Sequence, residues 1–317
     1  MTGYLEELTE GIRIARDVGQ KVLRPSYGRA TEVKVKNNAT TGCREEIQAS
    51  FFIMQRLEKV FPRHGITNEE VGQDQRKARG LHWIVDPLDS THQYIHGLTT
   101  KQTPELIRGR PLRVLNTDPS YTVLMALMDG PESVGGIIYN PHTGEMIWAA
   151  KGEGTWLEEE NAQTGEVYRK TKRYVLTSPE LSLVTSGRRR SRNLEQVLSN
   201  IKHHWRGVTK LGASRRDIAF YHMSGTLKFA EVVKGTVNLA YQPPGNDVHI
   251  WDIAPLIPIV QEARGIIHDA YERPFDLLQP DFVLGDGVIV ANRLYTAARL
   301  LHAQEGVYED LHSVGKR

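Results

Sequence analysis

Apolar residues recur every three or four positions at the start of the chain, which is the spacing of an amphipathic helix. This first stripe consists of Leu5, Leu8, Ile12, Ala15, Val18 and Val22. A second helix is predicted over residues 44–60, and the apolar residues on one of its sides are Ile47, Phe51, Met54 and Leu57. The chain is therefore expected to begin with two helices.

Short apolar runs follow these helices and predict strands. The first run, residues 81–86, ends at an acid, and three more runs cover residues 121–128, 134–139 and 145–150. The sequence Asn140-Pro141-His142-Thr143-Gly144 separates the last two runs and predicts a hairpin turn. Residues 157–179 are polar, and their pattern assigns them to no element.

From residue 181 onward, predicted strands and helices alternate. The strands are residues 181–185, 236–241 and 288–291, and the helices are residues 194–201, 226–233, 253–263 and 293–303. Helices first, strands in the middle and alternation at the end are typical of an α/β (α+β) protein built from layers. We expect two α/β halves, residues 1–179 and residues 180–317.

Composition narrows the classes of protein that fit. With 317 residues, 39% hydrophobic and 25% charged, the chain suits a globular protein. The formal net charge of +2 disfavours a dedicated nucleic-acid binder. The single cysteine, Cys43, fits a reducing compartment, and neither a secretory signal nor a membrane-spanning apolar run is evident. These features predict a cytoplasmic protein whose partner is a small molecule rather than nucleic acid or a membrane.

Acidic residues stand where helices begin and where an apolar strand ends. They are Glu45-Glu46, Glu69-Glu70, Asp86-Pro87-Leu88-Asp89 and Trp251-Asp252. Each alone has an ordinary explanation, such as a solvated helix face, a turn or a helix start. Acids at such positions converge readily at one edge of a sheet, and their oxygens favour a hard cation such as Mg²⁺. Several carboxylates on separate elements indicate two or more metals, an arrangement suited to hydrolysis of phosphate esters.

Three of these motifs occur in an order that resembles the motif set of the Mg²⁺-dependent, lithium-sensitive phosphatases. They are Glu69-Glu70, the run Trp83-Ile84-Val85-Asp86-Pro87-Leu88-Asp89-Ser90-Thr91, and Trp251-Asp252. That superfamily includes inositol monophosphatase, inositol polyphosphate 1-phosphatase, 3′(2′),5′-bisphosphate nucleotidase and fructose-1,6-bisphosphatase. The resemblance implies a layered αβαβα sandwich of the sugar-phosphatase type, with the active site between two α/β halves. It also implies two or three Mg²⁺ ions, and leaves a homodimer open.

The resemblance further implies roles for individual residues. The implied metal ligands are the carboxylates of Glu69, Asp86, Asp89 and Asp252 and the main-chain carbonyl of Leu88. Glu69 would also hold the attacking water, and Thr91 would orient it. The family pairs this Thr with an Asp on the preceding helix, a position that falls on Glu46 here and lengthens the side chain by one methylene. If the register slips by one residue, Glu45 takes that place.

Two segments of the sequence resemble family members that act on different substrates. The sequence from Asp89 to Ile95 resembles inositol polyphosphate 1-phosphatase, whereas Ser224 to Phe229 resembles the bisphosphate nucleotidases. The candidate substrate-binding residues are Asp89, Ser90, Thr91, Arg188, Gly225, Thr226 and Lys228. The arginine-rich run that contains Arg188 is either a phosphate clamp or a solvated surface. An inositol polyphosphate is the leading candidate, and adenosine 3′,5′-bisphosphate is the alternative.

Some positions depart from the family pattern. Pro255 and Pro258 follow Asp252 in a predicted helix, and Arg264-Gly265 replaces a glycine pair. Residues 99–119 are expected to be an insertion that serves as a lid, as a partner surface or as a plain surface loop. Glu46 and the two prolines support a third hypothesis, in which the protein holds a phosphate ligand without hydrolysing it.

Overall fold

The computed structural model describes residues 3–35, 41–71, 79–97, 106–107, 110–111, 113–114, 121–161, 164, 166–173, 182–185, 219–223, 225–245 and 248–292. Its helices are α1 (Leu5–Val18), α2 (Arg24–Ser26), α3 (Arg44–Val60), α4 (Thr91–His96), α5 (Leu227–Lys234), α6 (Ile250–Ile253) and α7 (Leu256–Glu262), with a π-helical turn, Gly19–Leu23, between α1 and α2. No helix within the described ranges is long and apolar enough to cross a membrane.

The strands of the described residues form two large sheets and two sheets of two strands each. The first strands along the chain are β1 (Lys34–Val35), β2 (Thr41–Gly42), β3 (Gly65–Asn68), β4 (Leu81–Asp89), β5 (Leu106–Ile107), β6 (Arg110–Pro111), β7 (Arg113–Val114), β8 (Thr122–Asp129) and β9 (Glu132–Asn140). They are followed by β10 (Glu145–Ala150), β11 (Gly154–Glu160), β12 (Val167–Arg173), β13 (Ser182–Thr185), β14 (Ala219–His222), β15 (Leu239–Gln242), β16 (Ile266–His268) and β17 (Val288–Ala291). The predicted α/β class is confirmed.

A seven-stranded sheet, in the order β12-β11-β10-β9-β8-β4-β3, is antiparallel except for the β3–β4 pair. A six-stranded sheet, in the order β16-β17-β15-β13-β14-β7, has parallel pairs at its centre and antiparallel pairs at one edge. Part of the predicted 99–119 insertion, strand β7, therefore joins the sheet that is otherwise built after residue 180. The division into halves at residue 180 remains a prediction.

Two hydrophobic cores separate these layers. The helix-side core lies where α1 and α3 cover the seven-stranded sheet, and it includes Leu8, Ile53, Trp83 and Val85. The inter-sheet core lies on the other face, where α5, α6 and α7 pack between the two sheets, and it includes Ile84. Successive residues of β4 thus alternate between the two cores, as the pleat of a strand requires. This alternation decides which face the acids beyond Ile84 can occupy.

The inward face of α3 differs from the predicted stripe. Leu57 is buried, but Ile47 and Phe51 are exposed by 37% and 52%. The buried face instead runs through Glu46, Ala49, Ile53 and Leu57. A helix can turn only one face inward, and here that face carries Glu46 toward the centre of the molecule. The helix predicted over residues 44–60 is confirmed, but its buried face is not the one that carries Ile47 and Phe51.

The described part of the polar stretch without a predicted element, up to residue 173, contains the end of β11 and all of β12, the edge strand of the seven-stranded sheet. Most residues of β12 are exposed, so this strand has no apolar alternation to reveal it. The hairpin predicted at residues 140–144 is confirmed. Asn140 Oδ1 accepts hydrogen bonds from the amides of His142 and Thr143, and Gly144 has φ +74°.

The two prolines interrupt the helix predicted over residues 253–263. Pro255 precedes α7, and Pro258 is its third residue, where the missing N–H would have had no partner within the helix. The carbonyl of Ala254, which an amide at position 258 could have reached, accepts a hydrogen bond from Ser133 Oγ at 2.6 Å. The structure therefore places Pro258 in the first turn and not in a helix interior.

The turn after α7 explains the family preference for a glycine pair. Arg264 adopts φ +65°, a conformation that is unfavourable for a residue with a Cβ. Glycine would adopt it without strain. Nothing in the structure gives the arginine a functional role.

Candidate active site

A β-bulge places two of the predicted metal ligands side by side. In a regular strand, residues three apart face opposite sides. Asp86 lies opposite Leu124 and Asp89 opposite Thr122, so three steps along β4 match two steps along β8. The extra residue follows Asp86, where Pro87 has no N–H for the ladder. Both aspartates therefore face the side of the sheet that carries the inter-sheet core.

The third carboxylate comes from α6, on the layer that covers this face. Asp252 Oδ2 accepts a hydrogen bond from the amide of His249 at 2.8 Å, which caps the start of the helix. Thr226 Oγ1 lies 3.4 Å from Asp252 Oδ1. Asp86, Asp89 and Asp252 each contribute an oxygen, and these three oxygens lie within 4.8 Å of one another. Residues far apart in the chain thus form one acidic cluster.

Glu69 lies beside this cluster. It follows β3, and its amide donates to the carbonyl of Val85 at 3.1 Å, one residue before Asp86. The charge of the Glu69 carboxylate contributes to raising the pKa of Asp86. The structure therefore groups three of the predicted carboxylates, those of Asp86, Asp89 and Asp252, and its main-chain contact places Glu69 next to them.

The pKa values of the cluster show the consequence of crowding. Burial, followed by the charges of Glu69, Asp89 and Asp252, raises the pKa of Asp86 well above its usual range. Burial and Asp89 raise the pKa of Asp252 to about 7, although the His249 amide and Lys228 act in the opposite direction. The charged form of the cluster is therefore disfavoured unless a cation is present.

Oxygen ligands and crowded negative charge are what a hard divalent cation requires. The donor set consists of carboxylates, with the carbonyl of Leu88 on the same bulge. The ammonium of Lys228 donates to the carbonyl of Gly225 and forms no ion pair with Asp89 or Asp252 in the described part of the chain. The residues present therefore fit a metal centre.

Next to the acids, Thr91 and Glu46 are hydrogen-bonded. Thr91 Oγ1 lies 2.8 Å from Glu46 Oε1 and 2.9 Å from the carbonyl oxygen of Leu88. Glu46 is 1% exposed, and its second oxygen accepts from the amide of Cys43 at 3.4 Å. The extra methylene of Glu46 therefore does not prevent this pairing. Its neighbour Glu45 is not a substitute.

Glu45 serves a different part of the chain. Its carboxylate accepts hydrogen bonds from the Thr31 amide at 3.1 Å and from the Thr31 hydroxyl at 2.8 Å. It therefore holds the segment before β1 against the start of α3. The helix has the register that places Glu46 at Thr91.

A close backbone approach completes the site. Gly225 has φ +75°, and a Cβ there would lie 2.1 Å from Ser90 Oγ and 3.0 Å from Asp89 Oδ2. Only glycine fits this position. The next amide, that of Thr226, donates to Asp89 Oδ2 at 2.7 Å. The predicted residues Ser90, Gly225 and Thr226 therefore lie at the acidic cluster.

Lys228 is close to the cluster but is directed at the main chain. Its side chain is 5% exposed, its Nζ donates to the Gly225 carbonyl at 2.9 Å, and it lies 4.3 Å from the centre of the Phe229 ring. Burial lowers the pKa of Lys228 to about 8, while the charges of Asp89 and Asp252 oppose this shift. Its role in substrate binding remains a prediction. Arg188 lies outside the described residues.

The sequence did not single out Thr122, whose Oγ1 donates to Asp89 Oδ2 at 3.3 Å. Thr122 is buried at the first position of β8, where an apolar residue would fit the pattern of that strand. A polar residue beginning an otherwise apolar strand was therefore a signal that it faces the site.

Solved structures share this arrangement of layers. The Thermotoga maritima IMPase superposes with a TM-score of 0.66 and 20% identity, covering 96% of this chain and 99% of that chain. The extragenic suppressor protein suhB from Bartonella henselae gives a TM-score of 0.66 and 21% identity, covering 94% and 98%. At this identity the similarity establishes the fold.

The acidic cluster could hold a metal ion, and the sequence comparisons identify the class of protein as a metal-dependent phosphatase. A family model described as the inositol monophosphatase family matches residues 5–309, and the chain belongs to that family. An inositol-1-monophosphatase of Caulobacter vibrioides is 25% identical over 276 residues, which covers 86% of this chain and 93% of that protein. A putative Nus factor SuhB of Neisseria meningitidis serogroup B is 23% identical, covering 90% of this chain and 96% of its own length.

Proposed function

We propose that this protein is a Mg²⁺-dependent phosphomonoesterase that acts on a small, multiply phosphorylated metabolite. The observation that carries the proposal is the convergence of acids from β4 and α6 on one cluster, with Glu69, the residue after β3, beside it. Two or three ions would be held by Glu69, Asp86, Asp89 and Asp252 and by the carbonyl of Leu88. When bound, Mg²⁺ would neutralise the phosphate charge and lower the pKa of an attacking water.

The pair Thr91–Glu46 supplies the groups that orient this water. The Thr91 hydroxyl has one proton and two lone pairs. When it donates its proton to Glu46 Oε1, its lone pairs are left to accept a hydrogen bond from water. Glu46 Oε1 is then positioned to receive the proton that leaves the water through Thr91. The 2.8 Å distance between these oxygens supports this route.

The leading substrate candidate is an inositol polyphosphate cleaved at its 1-phosphate. The names of curated relatives support an inositol phosphate, since several are inositol-1-monophosphatases. More than one phosphate is supported by the arginine-rich sequence that contains Arg188, because guanidinium groups bind phosphate in a bidentate manner.

A phosphorylated nucleotide is the second candidate. The segment from Ser224 to Phe229 resembles the bisphosphate nucleotidases. One structural neighbour, SaIMPase-II, is described in complex with 2′-AMP and also with inositol monophosphate. This combination supports testing both substrate classes on the same protein.

A panel of phosphate esters separates these candidates. Phosphate release would be measured with inositol 1-phosphate, inositol 1,4-bisphosphate, adenosine 3′,5′-bisphosphate and 2′-AMP, each with Mg²⁺ and with EDTA. We expect Mg²⁺-dependent turnover that is fastest with inositol 1,4-bisphosphate. Fastest turnover of adenosine 3′,5′-bisphosphate would favour the nucleotidase. Binding without turnover of any ester would favour the third hypothesis, a phosphate-binding homologue.

Three further properties remain predictions. Inhibition by Li⁺ and assembly as a homodimer are implied by the resemblance, and a cytoplasmic location is predicted from the composition. Adding LiCl to the same assay tests the first, and sedimentation of the purified protein tests the last.

A further inference from the structure

Lys228 makes a contact that substrate binding does not explain. It is the second residue of α5, and its side chain turns back onto the chain that precedes the helix. There Nζ donates to the carbonyl oxygen of Gly225 at 2.9 Å. With 5% of the residue exposed, the ammonium group is committed to this carbonyl and to the face of the Phe229 ring.

The carbonyl of Gly225 and the amide of Thr226 belong to the same peptide unit. That amide donates to Asp89 Oδ2 at 2.7 Å, the shortest of the hydrogen bonds to Asp89 described above. Electron density is shared across a peptide group, so a cation on its oxygen makes its N–H a stronger donor. Lys228 and Asp89 are therefore linked through one polarised peptide.

This peptide has little freedom to move away. Gly225 lies so close to β4 that a Cβ would clash with Ser90 Oγ. The hydroxyl of Thr226 also lies 3.4 Å from Asp252 Oδ1. The turn before α5 is thus seated between two of the acids, and Lys228 anchors its carbonyl from the opposite side.

We propose that Lys228 is a positioning residue for Asp89 and acts on it through the Gly225–Thr226 peptide. The inference rests on the proposed function in one respect, namely that Asp89 is a metal ligand. It gives Lys228 a role in metal binding before any substrate arrives. A lysine that only contacts substrate phosphate would have no such role.

The sign of the effect on metal affinity tests the inference. Removing a positive charge close to a cation site would by itself tighten Mg²⁺ binding. Removing the anchor of the peptide weakens the hydrogen bond that holds Asp89. We expect Lys228→Met, which retains the packing against Phe229, to raise the Kd for Mg²⁺ at least fivefold.

The experiment is calorimetric titration of Mg²⁺ into the metal-free full chain, with no substrate present. In parallel, the ¹H shift of the Thr226 amide would be recorded by NMR, and we expect it to move upfield in Lys228→Met as its hydrogen bond weakens. Lys228→Arg, which keeps a charged donor, should restore most of the affinity. Lys234→Met is the matched control, because Lys234 lies on the same helix but pairs with Glu145 and Glu231.

Each outcome bears on one proposal. An unchanged or lower Kd in Lys228→Met, with an unmoved Thr226 amide, would overturn the positioning role. If the wild-type protein itself binds no Mg²⁺, the proposed function fails instead. Circular dichroism checks folding, and should Lys228→Met not fold, Lys228→Leu carries the same test, because it also removes both the charge and the donor.

Discussion

Two clusters of carboxylates lie at the same seven-stranded sheet, and the protein compensates their charge in different ways. On β11, Glu158 and Glu160 both bond to the guanidinium of Arg16, which reaches them from α1. Lys170 Nζ lies 2.8 Å from Glu158 Oε1, and the indole N–H of Trp148 donates to that oxygen at 3.0 Å. Every acid in this cluster has a donor from the protein itself.

The pKa values of the carboxyl groups in the two clusters are therefore shifted in opposite directions. Burial alone would raise the pKa of Glu158, but Lys170, Trp148 and Arg16 outweigh it and hold this pKa below its usual range. At the active-site cluster, burial and neighbouring carboxylates act in the same direction and raise the pKa of Asp86 and Asp252. In the first cluster, the protein's own donors neutralise the carboxylates. The second cluster keeps an excess of negative charge, which suits the binding of cations.

The largest expected effect comes from removing one charge of the active-site cluster. Asp89→Asn keeps an oxygen that can accept from the Thr226 amide, so the fold should survive. Because the metal ligand loses its charge, we expect turnover to fall by on the order of 10³-fold. Phosphate release measures the turnover, and circular dichroism shows whether the fold survives. Near-normal turnover by this variant would refute the assignment of Asp89 to the metal site.

The water-orienting pair should show a somewhat smaller effect. Glu46→Gln removes the proton acceptor beside Thr91, and we expect kcat to fall roughly 10²-fold with Mg²⁺ affinity nearly unchanged. Glu45→Gln is the matched control. The carboxylate of Glu45, the residue next to Glu46, accepts hydrogen bonds from Thr31, so this substitution should affect turnover little. Equal losses in the two variants would contradict the pairing. Glu46→Asp, which restores the family residue, should retain activity.

Breaking the other cluster should affect stability and not chemistry. Arg16→Met leaves Glu158 and Glu160 without their shared partner, and we expect a loss of about 3 kcal/mol in the free energy of unfolding. The specific activity of the protein that remains folded should not change. Lys170→Met is the comparison, because Lys170 is 46% exposed and should contribute less than about 1 kcal/mol. Urea denaturation measures both.

The pH dependence of stability gives the smallest effect. The folded-state pKa of Asp252, about 7, exceeds its ordinary value of 3.8, so the folded metal-free protein holds a proton that the unfolded chain has released. Its stability therefore falls as pH rises through this interval. In EDTA, Asp252→Asn should match the wild type at pH 4 and exceed its Tm by several degrees at pH 8. Mg²⁺ should abolish this advantage.

A Tm difference that does not vary with pH would contradict the raised pKa of Asp252. Glu158 should behave in the opposite way, because its lowered folded-state pKa contributes stability that is lost as pH falls. Comparing Glu158→Gln with Asp252→Asn over the same pH range therefore tests the contrast between the two clusters directly.

Local patterns explain why much of the fold was predictable. The period of α1, the strands β8 to β10 and the hairpin at residues 140–144 follow from apolar spacing and turn residues, which act over a few positions. Strand β12 was not predictable in this way, since an exposed edge strand has no buried face. The bounds of α3 were predicted as well, but apolar residues lie on two of its faces, and only contacts with its neighbours select the face that is buried.

The sequence by itself determined which acids exist, their order and the elements that carry them, because those features are properties of short segments. Tertiary structure alone decided how they meet. The bulge at Pro87 turned Asp86 and Asp89 to one side of the sheet, and the register of α3 placed Glu46, not Glu45, at Thr91. The approach of Gly225 to Ser90 placed the amide of Thr226 on Asp89. Such choices depend on contacts between residues distant in the chain, and no local period encodes them.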